Sequence, residues 1–261
     1  MGKIVSIHSF RGGTGKSNTT ANLASQVALA GKRVGVVDTD IQSPGIHVLF
    51  GLNEAKMGRT LNEYLRGDCK IEDVAFRVGD HLDAGEAGGR KQLAGKDLWL
   101  IPSSINVGEI SKVVRDGYDV NKLNEGLQTL RKKLQLDYLF IDTHPGLNEE
   151  TLLSVAISDV LIIILRPDQQ DFQGTAVTVD IARSLDVPSL LLVVNKALTR
   201  YDFNHLRAEI EKRYSATVAG VLPLTEDMAD MGSGDIFSLR YPDHLWSQAI
   251  RGVADRLLTS A

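Results

Sequence analysis

The chain has 261 residues, of which 43% are hydrophobic and 24% are charged, with a formal net charge of -4. These values are typical of a globular protein with a sizeable core, and they exclude nucleic-acid binding driven by overall charge, so that any such binding needs a local basic patch. The single cysteine, Cys69, excludes an internal disulfide and a CxxC metal site. Since no signal peptide and no apolar run of membrane-spanning length is visible, we expect a cytoplasmic protein without a membrane anchor.

The first predicted unit is a strand, a glycine-rich loop and a helix. Residues 4–7 form an apolar run that predicts a buried strand, and the apolar spacing over residues 22–30 predicts a helix. Between them lies a phosphate-binding loop that comprises Gly12, Gly13, Thr14, Gly15, Lys16, Ser17 and Asn18. Its glycines let backbone N–H groups point at an anion, Lys16 supplies a positive charge for the β- and γ-phosphates, and Ser17 supplies a hydroxyl for Mg²⁺. This context favours a nucleoside triphosphate site over an ordinary strand–helix turn.

Strands and helices alternate along the rest of the chain. This alternation predicts an α/β fold with a doubly wound, mostly parallel sheet that is flanked by helices. The further predicted strands are residues 33–38, 98–101, 138–141, 160–165, 190–194 and 217–222. The further predicted helices are residues 107–114, 120–134, 151–157, 174–185, 203–214 and 245–258. The segment 79–96, rich in glycine and charge, is predicted to be a surface loop, and we expect a single domain over residues 1–261 because no linker or repeat is visible.

Acidic residues follow the ends of two predicted strands. Asp38 ends the second strand and Asp40 lies two residues later, whereas Asp142 follows an apolar run and precedes a tight turn that contains Gly146. Because ligands bind at the carboxyl ends of parallel strands, we expect the three aspartates to face the phosphate loop. A single aspartate of this kind is better explained as a helix cap or a solvated acid. Their common position favours a site in which Asp142 supports Mg²⁺ and the N–H of Gly146 contacts the γ-phosphate.

Three stretches of the chain resemble the MinD/ParA family of deviant Walker ATPases: residues 11–17, 37–40 and 142–146. The similarity extends to Asn195 and Pro223, in regions that frame the adenine in the family. The resemblance implies a P-loop ATPase that cycles between a monomer and an ATP-bound sandwich dimer. Where the family has a signature lysine that reaches the partner's ATP, this chain has Arg11. Arginine keeps the positive charge but places its N–H donors differently from a lysine ammonium. Arg11 therefore either reaches the partner's ATP across the dimer, where it would take part in catalysis, or contacts its own loop or solvent.

The resemblance also implies roles for the residues around the phosphates. Lys16 would hold the β- and γ-phosphates, and Ser17 would bind Mg²⁺ directly. Asp38 would act behind the metal's own ligands, and Asp142 would be the Walker B carboxylate. Asp40 would position the attacking water, which needs little basicity because phosphoryl transfer depends mostly on positioning and charge stabilisation.

Two residues belong to the second switch segment of the family. Gly146 is one of them. The other, His144, stands where we would expect a small or apolar residue, and we expect it to be a solvated side chain of the switch rather than a catalytic group.

A DNA-binding face is a further implication of the resemblance, and it would place the protein on the nucleoid. Seven basic residues are candidates for this face: Lys196, Arg200, Arg207, Lys212, Arg213, Arg240 and Arg251. In a dimer a small surplus of positive charge doubles along one face and binds phosphates without reading sequence. An ordinary solvated helix face explains the same residues about as well.

Missing features narrow the choice among relatives. The chain stops soon after its last predicted helix, so we do not expect the membrane-inserting tail helix of MinD, and it lacks the paired cysteines of iron–sulfur scaffolds. The expected function is a positioning or partitioning ATPase whose hydrolysis a partner protein stimulates. The alternative is an ATP-dependent ligase that activates a small carboxylate, as dethiobiotin and cobyrinic acid amide synthases do. The McdA-like carboxysome-positioning subgroup also departs at the signature lysine and is our leading hypothesis for the cargo.

Overall fold

Eight strands form one sheet in the computed structural model, which describes residues 2–54, 56–82 and 88–259. The strands are β1 (Lys3–His8), β2 (Val34–Asp38), β3 (Phe76–Arg77), β4 (Leu98–Ile101), β5 (Tyr138–Asp142), β6 (Val160–Leu165), β7 (Ser189–Ala197) and β8 (Thr217–Pro223). Their order across the sheet is β3-β4-β2-β5-β1-β6-β7-β8, and every neighbouring pair is parallel except β3 with β4 at one edge. The predicted doubly wound, mostly parallel sheet is confirmed.

The described residues also form eleven α-helices. They are α1 (Lys16–Leu29), α2 (Ile46–Leu49), α3 (Leu61–Arg66), α4 (Val107–Asp116), α5 (Val120–Lys133), α6 (Glu149–Ala156), α7 (Gln169–Ser184), α8 (Phe203–Tyr214), α9 (Glu226–Asp230), α10 (Phe237–Arg240) and α11 (Leu245–Thr259). All the predicted helices are present, with α1 and α7 beginning earlier than predicted. The sequence did not predict the four short helices α2, α3, α9 and α10. None of the helices in the described ranges has the length and apolar character that a membrane-spanning segment needs.

The central strands supply apolar side chains to both faces of the sheet. On β5, Tyr138 and Phe140 belong to the core cluster that also includes residues of α1 and α11. The intervening Leu139 and Ile141 belong to a second cluster, which includes residues of α3 and α5. A third cluster joins β6, β7 and β8 to α7 and α8. Successive side chains of a strand point to opposite faces, so the continuous apolar runs in the sequence follow from burial of the sheet on both faces.

The position of β1 within the sheet determines where the functional residues meet. β1 lies between β5 and β6, and β5 also pairs with β2. In this register Ile7 is paired with Asp142, and Asp142 is paired with Asp38. The loop that follows β1 therefore emerges at the carboxyl edge of the sheet next to both aspartates.

The described part of the segment 79–96 lies largely at the surface, as the sequence predicted, but it is more ordered than a loop and is anchored in the core at Leu93. Short 3-10 helices cover Val78–His81 and Arg90–Leu93, and Val78 and Leu93 are buried in the core. A Cβ at Gly79 would lie 2.8 Å from the carbonyl oxygen of Leu93, so the two ends of the segment are packed against each other. Single apolar residues among glycines and charges show no periodicity, which is why the sequence did not reveal this burial. Residues 83–87 of the segment lie outside the described residues.

Candidate nucleotide-binding site

The phosphate-binding loop joins β1 to the N-terminus of α1. Gly13 and Gly15 have φ angles of 76° and 89°, in the left-handed region that favours glycine. Gly15 is also the N-cap of α1, and a Cβ on it would lie 2.4 Å from Nδ2 of Asn195 on β7. No side chain caps the N-terminus of α1, which leaves the partial positive charge of a 14-residue helix facing the cleft. This arrangement suits an anion.

Lys16 and Asp142 form a buried ion pair at the base of the loop. Nζ of Lys16 lies 3.0 Å from Oδ1 of Asp142, and the hydroxyl of Thr20 donates to the same oxygen at 3.0 Å. The other carboxylate oxygen, Oδ2 of Asp142, is buried and has no hydrogen-bond partner among the described residues. Since Mg²⁺ and its waters prefer oxygen ligands, this carboxylate oxygen and the hydroxyl of Ser17, which lines the cleft, are of the chemical type that suits the ion that the sequence predicted.

Asp38 is fully buried next to Asp142. Its carboxyl group accepts hydrogen bonds from the backbone N–H groups of Asp40 at 3.1 Å and Gly45 at 3.2 Å. Burial, reinforced by the Asp142 carboxylate, raises the pKa of Asp38 to about 8. Asp38 therefore holds its proton more tightly than an ordinary aspartate does, and a divalent cation nearby would favour its ionised form.

Asp40 and His144 lie together on the wall of the cleft. Oδ1 of Asp40 accepts from the N–H of Ser43 at 3.2 Å and lies 3.9 Å from Nε2 of His144. Burial raises the pKa of Asp40, although the positive charge of Lys16 works against this effect. Nδ1 of His144 lies 2.6 Å from the carbonyl oxygen of Pro145, and because a carbonyl only accepts, Nδ1 carries the proton. The His144 side chain is 27% exposed, so it is partly covered rather than solvated as the sequence predicted.

The phosphate-binding loop lines two adjacent clefts, and Asp40 lines one of them. The first has a volume of about 320 Å³ and is lined by residues 12–18 together with Asp40 and His144. The second has a volume of about 220 Å³, shares Gly15 and Asn18 with the first, and extends to Asn195 and Pro223. Asn195 holds this junction in place because its Nδ2 donates to the carbonyl of Thr14 at 2.8 Å. Two adjacent clefts, one lined by the glycine loop and the other more apolar, can hold the phosphates and the base of a nucleotide.

Gly146 has a φ of 84°, as its predicted turn requires, but its N–H is already paired. It donates to the carbonyl of Ser9 at 3.1 Å. The predicted contact between this N–H and a γ-phosphate therefore requires that the Ser9 bond be exchanged.

Arg11 lies outside the phosphate cleft. Its exposed guanidinium donates to the side-chain oxygen of Gln170 on α7. Beside it are Phe10 and Val177, which are 37% and 47% exposed. The charge that replaces the signature lysine thus lies at the surface next to apolar side chains, and it does not contact the phosphate cleft of its own chain in this structure.

The seven basic residues predicted to bind DNA differ in their surroundings. Five of them contact the chain itself: Lys196, Arg200, Arg207, Arg213 and Arg251. On α8, Arg207 donates to the carbonyl of Val218, whereas the guanidinium of Arg213 lies 4.6 Å from the ring centroid of Phe172. Five of the seven are exposed: Lys196, Arg200, Lys212, Arg213 and Arg240. DNA binding by this set stays a prediction.

The sequence did not indicate two contributors to the loop. Thr20 lies four residues after Lys16, so the helical period could have placed its hydroxyl on the side of α1 that faces Asp142. Lys196 donates from Nζ to the carbonyl of Gly13 at 2.7 Å, and it does so from a strained backbone with φ of 56°. No local signal could have found Lys196, because the contact between β7 and the loop is tertiary.

Known proteins with similar sequences include ATP-binding proteins. The family model described as AAA domain matches residues 2–188. An uncharacterized ATP-binding protein of Methanocaldococcus jannaschii is 26% identical over 259 residues, which cover 99% of this chain and 88% of that protein. The sporulation initiation inhibitor protein Soj of Bacillus subtilis is 30% identical over 175 residues. That match covers 67% of this chain and 62% of Soj, so it spans less than two thirds of Soj's length.

Solved structures with the same fold include cell division and McdA proteins. The cell division ATPase MinD of Pyrococcus furiosus matches over the full length of both chains with a TM-score of 0.82 and 21% identity. MinD of Pyrococcus horikoshii, complexed with Mg-ADP, has a TM-score of 0.78 and 21% identity over 98% of this chain and 96% of that one. Apo McdA of Cyanthece has a TM-score of 0.74 and 18% identity over 99% of this chain and 100% of that one. At these identities the likeness shows the fold.

Proposed function

The chain belongs to the AAA-domain family of P-loop proteins and is of the MinD/ParA type, and from that premise we propose that it hydrolyses ATP to ADP and phosphate. The observation that carries the proposal is the buried pair of Lys16 and Asp142 beneath the glycine loop, 3.0 Å apart, with one Asp142 oxygen left unpartnered. This arrangement supplies a cation for the phosphates and a carboxylate oxygen for a hydrated metal ion at the same point.

The phosphate-binding loop and the three aspartates near it have separate roles in this proposed reaction. The glycine N–H groups and Lys16 would bind the phosphates, and Ser17 and Asp142 would hold Mg²⁺. Asp38 would not bind the metal directly but would help to position its ligands. Mg²⁺, when bound, would neutralise charge on the transferred phosphoryl group. Asp40, on the cleft wall, would orient the attacking water, so that the rate depends on positioning more than on basicity. Binding of the triphosphate would then draw Lys16 away from Asp142 and free that carboxylate for the metal.

The proposed cycle couples this reaction to assembly. ATP would bring two chains together with their loops facing each other, and Arg11 would reach the phosphates of the partner chain. Its surface position against Gln170, outside its own cleft, supports this role. The dimer would bind DNA non-specifically, and a partner protein would stimulate hydrolysis and release it. The hypothesis of a carboxysome cargo rests on the departure at Arg11, since the likeness to McdA is one of fold.

Phosphate release by the purified protein with ATP and Mg²⁺ tests the proposal. We expect slow release that duplex DNA or a partner protein accelerates. Release that appears only with a small carboxylic acid and an amine would instead support a ligase.

Lys16→Ala gives the matching binding experiment. We expect no detectable ATP binding in calorimetry, because the variant loses the charge that faces the phosphates and leaves Asp142 buried without its partner. Retained secondary structure in circular dichroism serves as the control for folding. An unchanged affinity for ATP would overturn the assignment of the phosphate-binding loop.

A further inference from the structure

A separate cavity of about 240 Å³ lies beside the nucleotide cleft and shares the wall formed by His144 with it. Three parts of the chain enclose it: residues 41–42 after β2, residues 113–120 at the junction of α4 and α5, and residues 148–150 at the start of α6. None of these residues was predicted as part of the nucleotide site. Nucleotide binding therefore does not account for this cavity.

The walls of this cavity combine an apolar floor with acidic groups. Ile41, Val113 and Val120 contribute the apolar surface. Glu150 contributes a largely buried carboxyl group, whereas Glu149 lies exposed at the rim, and the described residues that line the cavity include no lysine or arginine. An apolar surface that ends at an acid without a basic side chain is suited to a ligand with an apolar stem and a positive end.

The carboxyl group of Glu150 is the polar centre of the cavity. Its Oε1 is buried, as is the neighbouring hydroxyl of Tyr118. Burial raises the pKa of Glu150 to about 7, and the neighbouring Tyr118 hydroxyl, which acts as a donor to the carboxyl group, offsets part of this rise. A hydroxyl supplies no positive charge, and no lysine or arginine lies among the described residues that line the cavity, so a charged N–H donor is the group that would stabilise the buried carboxylate most strongly.

We propose that this cavity binds a positively charged nitrogen on a short apolar stem, an alkylammonium or guanidinium group. The nitrogen would donate to Glu150, and the stem would lie on Ile41, Val113 and Val120. Two sources carry this chemistry: a free small amine or guanidine, and a lysine or arginine side chain of a partner protein. The binding itself does not depend on ATP.

A ligand in the cavity would affect hydrolysis at the nucleotide site. Gln42 lines the cavity two residues after Asp40, and His144 lies on the shared wall with its Nε2 3.9 Å from Oδ1 of Asp40. A ligand that orders these two residues would change the position of the group proposed to hold the attacking water. This link to hydrolysis, unlike the binding, rests on the proposed function.

Calorimetry and amide chemical shifts of the nucleotide-free protein at pH 8 test the binding. The probes are ethylguanidinium and n-butylammonium chloride, with N-ethylurea as the uncharged analogue of similar shape. We expect the two cations to bind saturably, N-ethylurea to bind far more weakly, and Glu150→Gln to reduce the affinity for the cations about tenfold or more. Glu149→Gln, at an exposed neighbour in the same helical turn, is the matched control and should change little.

The possible results distinguish the cation site, the source of the cation and the link to hydrolysis from one another. Equal binding of ethylguanidinium and N-ethylurea, or unchanged affinity in a folded Glu150→Gln variant, would overturn the cation site. A short peptide with one arginine between apolar residues distinguishes the two sources of the cation. If the peptide binds more tightly than ethylguanidinium and this binding is lost in Glu150→Gln, the ligand is a side chain of a partner protein. If the peptide binds no more tightly, the ligand is a free small cation. Phosphate release unaffected by a saturating cation would overturn only the link to Asp40, and absent ATPase activity would leave the binding result standing.

Discussion

Three aspartate carboxyl groups lie near Lys16, which can balance the charge of only one of them. Asp142 takes the direct ion pair at 3.0 Å, and Asp38, buried beside it, has its pKa raised to about 8. Asp40 is nearer the surface and its pKa is also raised by burial. In the ligand-free cleft Asp38 therefore holds its proton more tightly than an ordinary aspartate does, and a bound divalent cation would favour release of that proton.

Substitution of Asp40 tests its proposed role directly. In Asp40→Ala we expect ATP binding to be retained, because the glycine loop and Lys16 are untouched, and turnover to fall by about 100-fold, because the water is no longer oriented. Calorimetry and phosphate release measure the two effects. Asp40→Asn, which keeps an oxygen for the N–H of Ser43, serves to separate loss of charge from loss of the turn. Turnover close to that of the unmodified protein would assign water positioning to another residue.

Glu150 gives a prediction about stability and pH. Its pKa is raised from 4.5 to about 7, so the folded state holds the proton more tightly than the unfolded state and is penalised once the group ionises. Removal of the charge by Glu150→Gln should therefore stabilise the protein by about 3 kcal/mol at pH 8 and by about half of that at pH 5.5. Urea denaturation at both pH values measures this. Glu149→Gln is the exposed control, and an equal effect in both variants, or a benefit that grows as the pH falls, would contradict the burial of Glu150.

At the scale of elements, the site depends on how closely β7 approaches the loop before α1. Asn195 donates to the carbonyl of Thr14 and Lys196 donates to the carbonyl of Gly13, at 2.8 and 2.7 Å. Gly15 makes room for this approach, since a Cβ there would lie 2.4 Å from Nδ2 of Asn195. The loop is thus held from two sides, by α1 through its own backbone and by β7 through side chains.

Gly15→Ala should disturb this contact, and Gly31→Ala is its matched control. Both glycines have positive φ, 89° and 81°, but a Cβ at Gly31 would meet nothing within 4 Å. Gly31→Ala should cost about 1 kcal/mol of backbone strain and leave ATP binding unchanged. Gly15→Ala should cost more and weaken ATP binding about tenfold or more, because the Asn195 side chain must move. Urea denaturation and calorimetry on both variants measure these effects. Equal losses of ATP affinity in the two variants would contradict the proposed role of β7.

At the scale of the whole molecule, the surface around Arg11 carries the proposed assembly. The guanidinium lies against Gln170 beside the exposed side chains of Phe10 and Val177. Charge and apolar area are thus combined outside the cleft, as an interface between two copies would require. Five of the basic residues predicted for DNA binding are exposed: Lys196, Arg200, Lys212, Arg213 and Arg240.

A dimer assay tests the role of Arg11. With ATP and Mg²⁺, Asp40→Ala should shift from monomer to dimer in light scattering, because ATP is bound but not consumed. Addition of Arg11→Ala should move the midpoint by about tenfold or more, since two charge-assisted contacts are lost per dimer. Arg11→Lys in the same background, which keeps the charge, should restore part of the loss. Equal dimerisation of the three proteins would reduce Arg11 to a surface residue of the loop.

The sequence by itself determined the fold class and most of the residues in the phosphate cleft. Continuous apolar runs and their regular spacing are local signals, and they predicted seven of the eight strands, all but β3, which has two residues. Gly12 to Ser17, Asp38, Asp40 and Asp142 could be assigned because each lies within a few residues of a strand end, and parallel strands bring such ends to one edge. The burial of Leu93 and the helices α2, α3, α9 and α10 were missed, although Thr60 and Glu63 form a capping box that signals the start of α3.

Only the tertiary structure decided which side chains meet across distant segments. It placed Lys196 on the carbonyl of Gly13, set His144 against Asp40, and brought Glu150 next to Tyr118. None of these contacts has a local signature, because each joins segments that are remote in the chain and depends on how helices and strands pack. The physical reason is burial: the pKa and the partners of a charged group depend on the solvent that surrounding elements exclude, and the order of residues alone does not specify that exclusion.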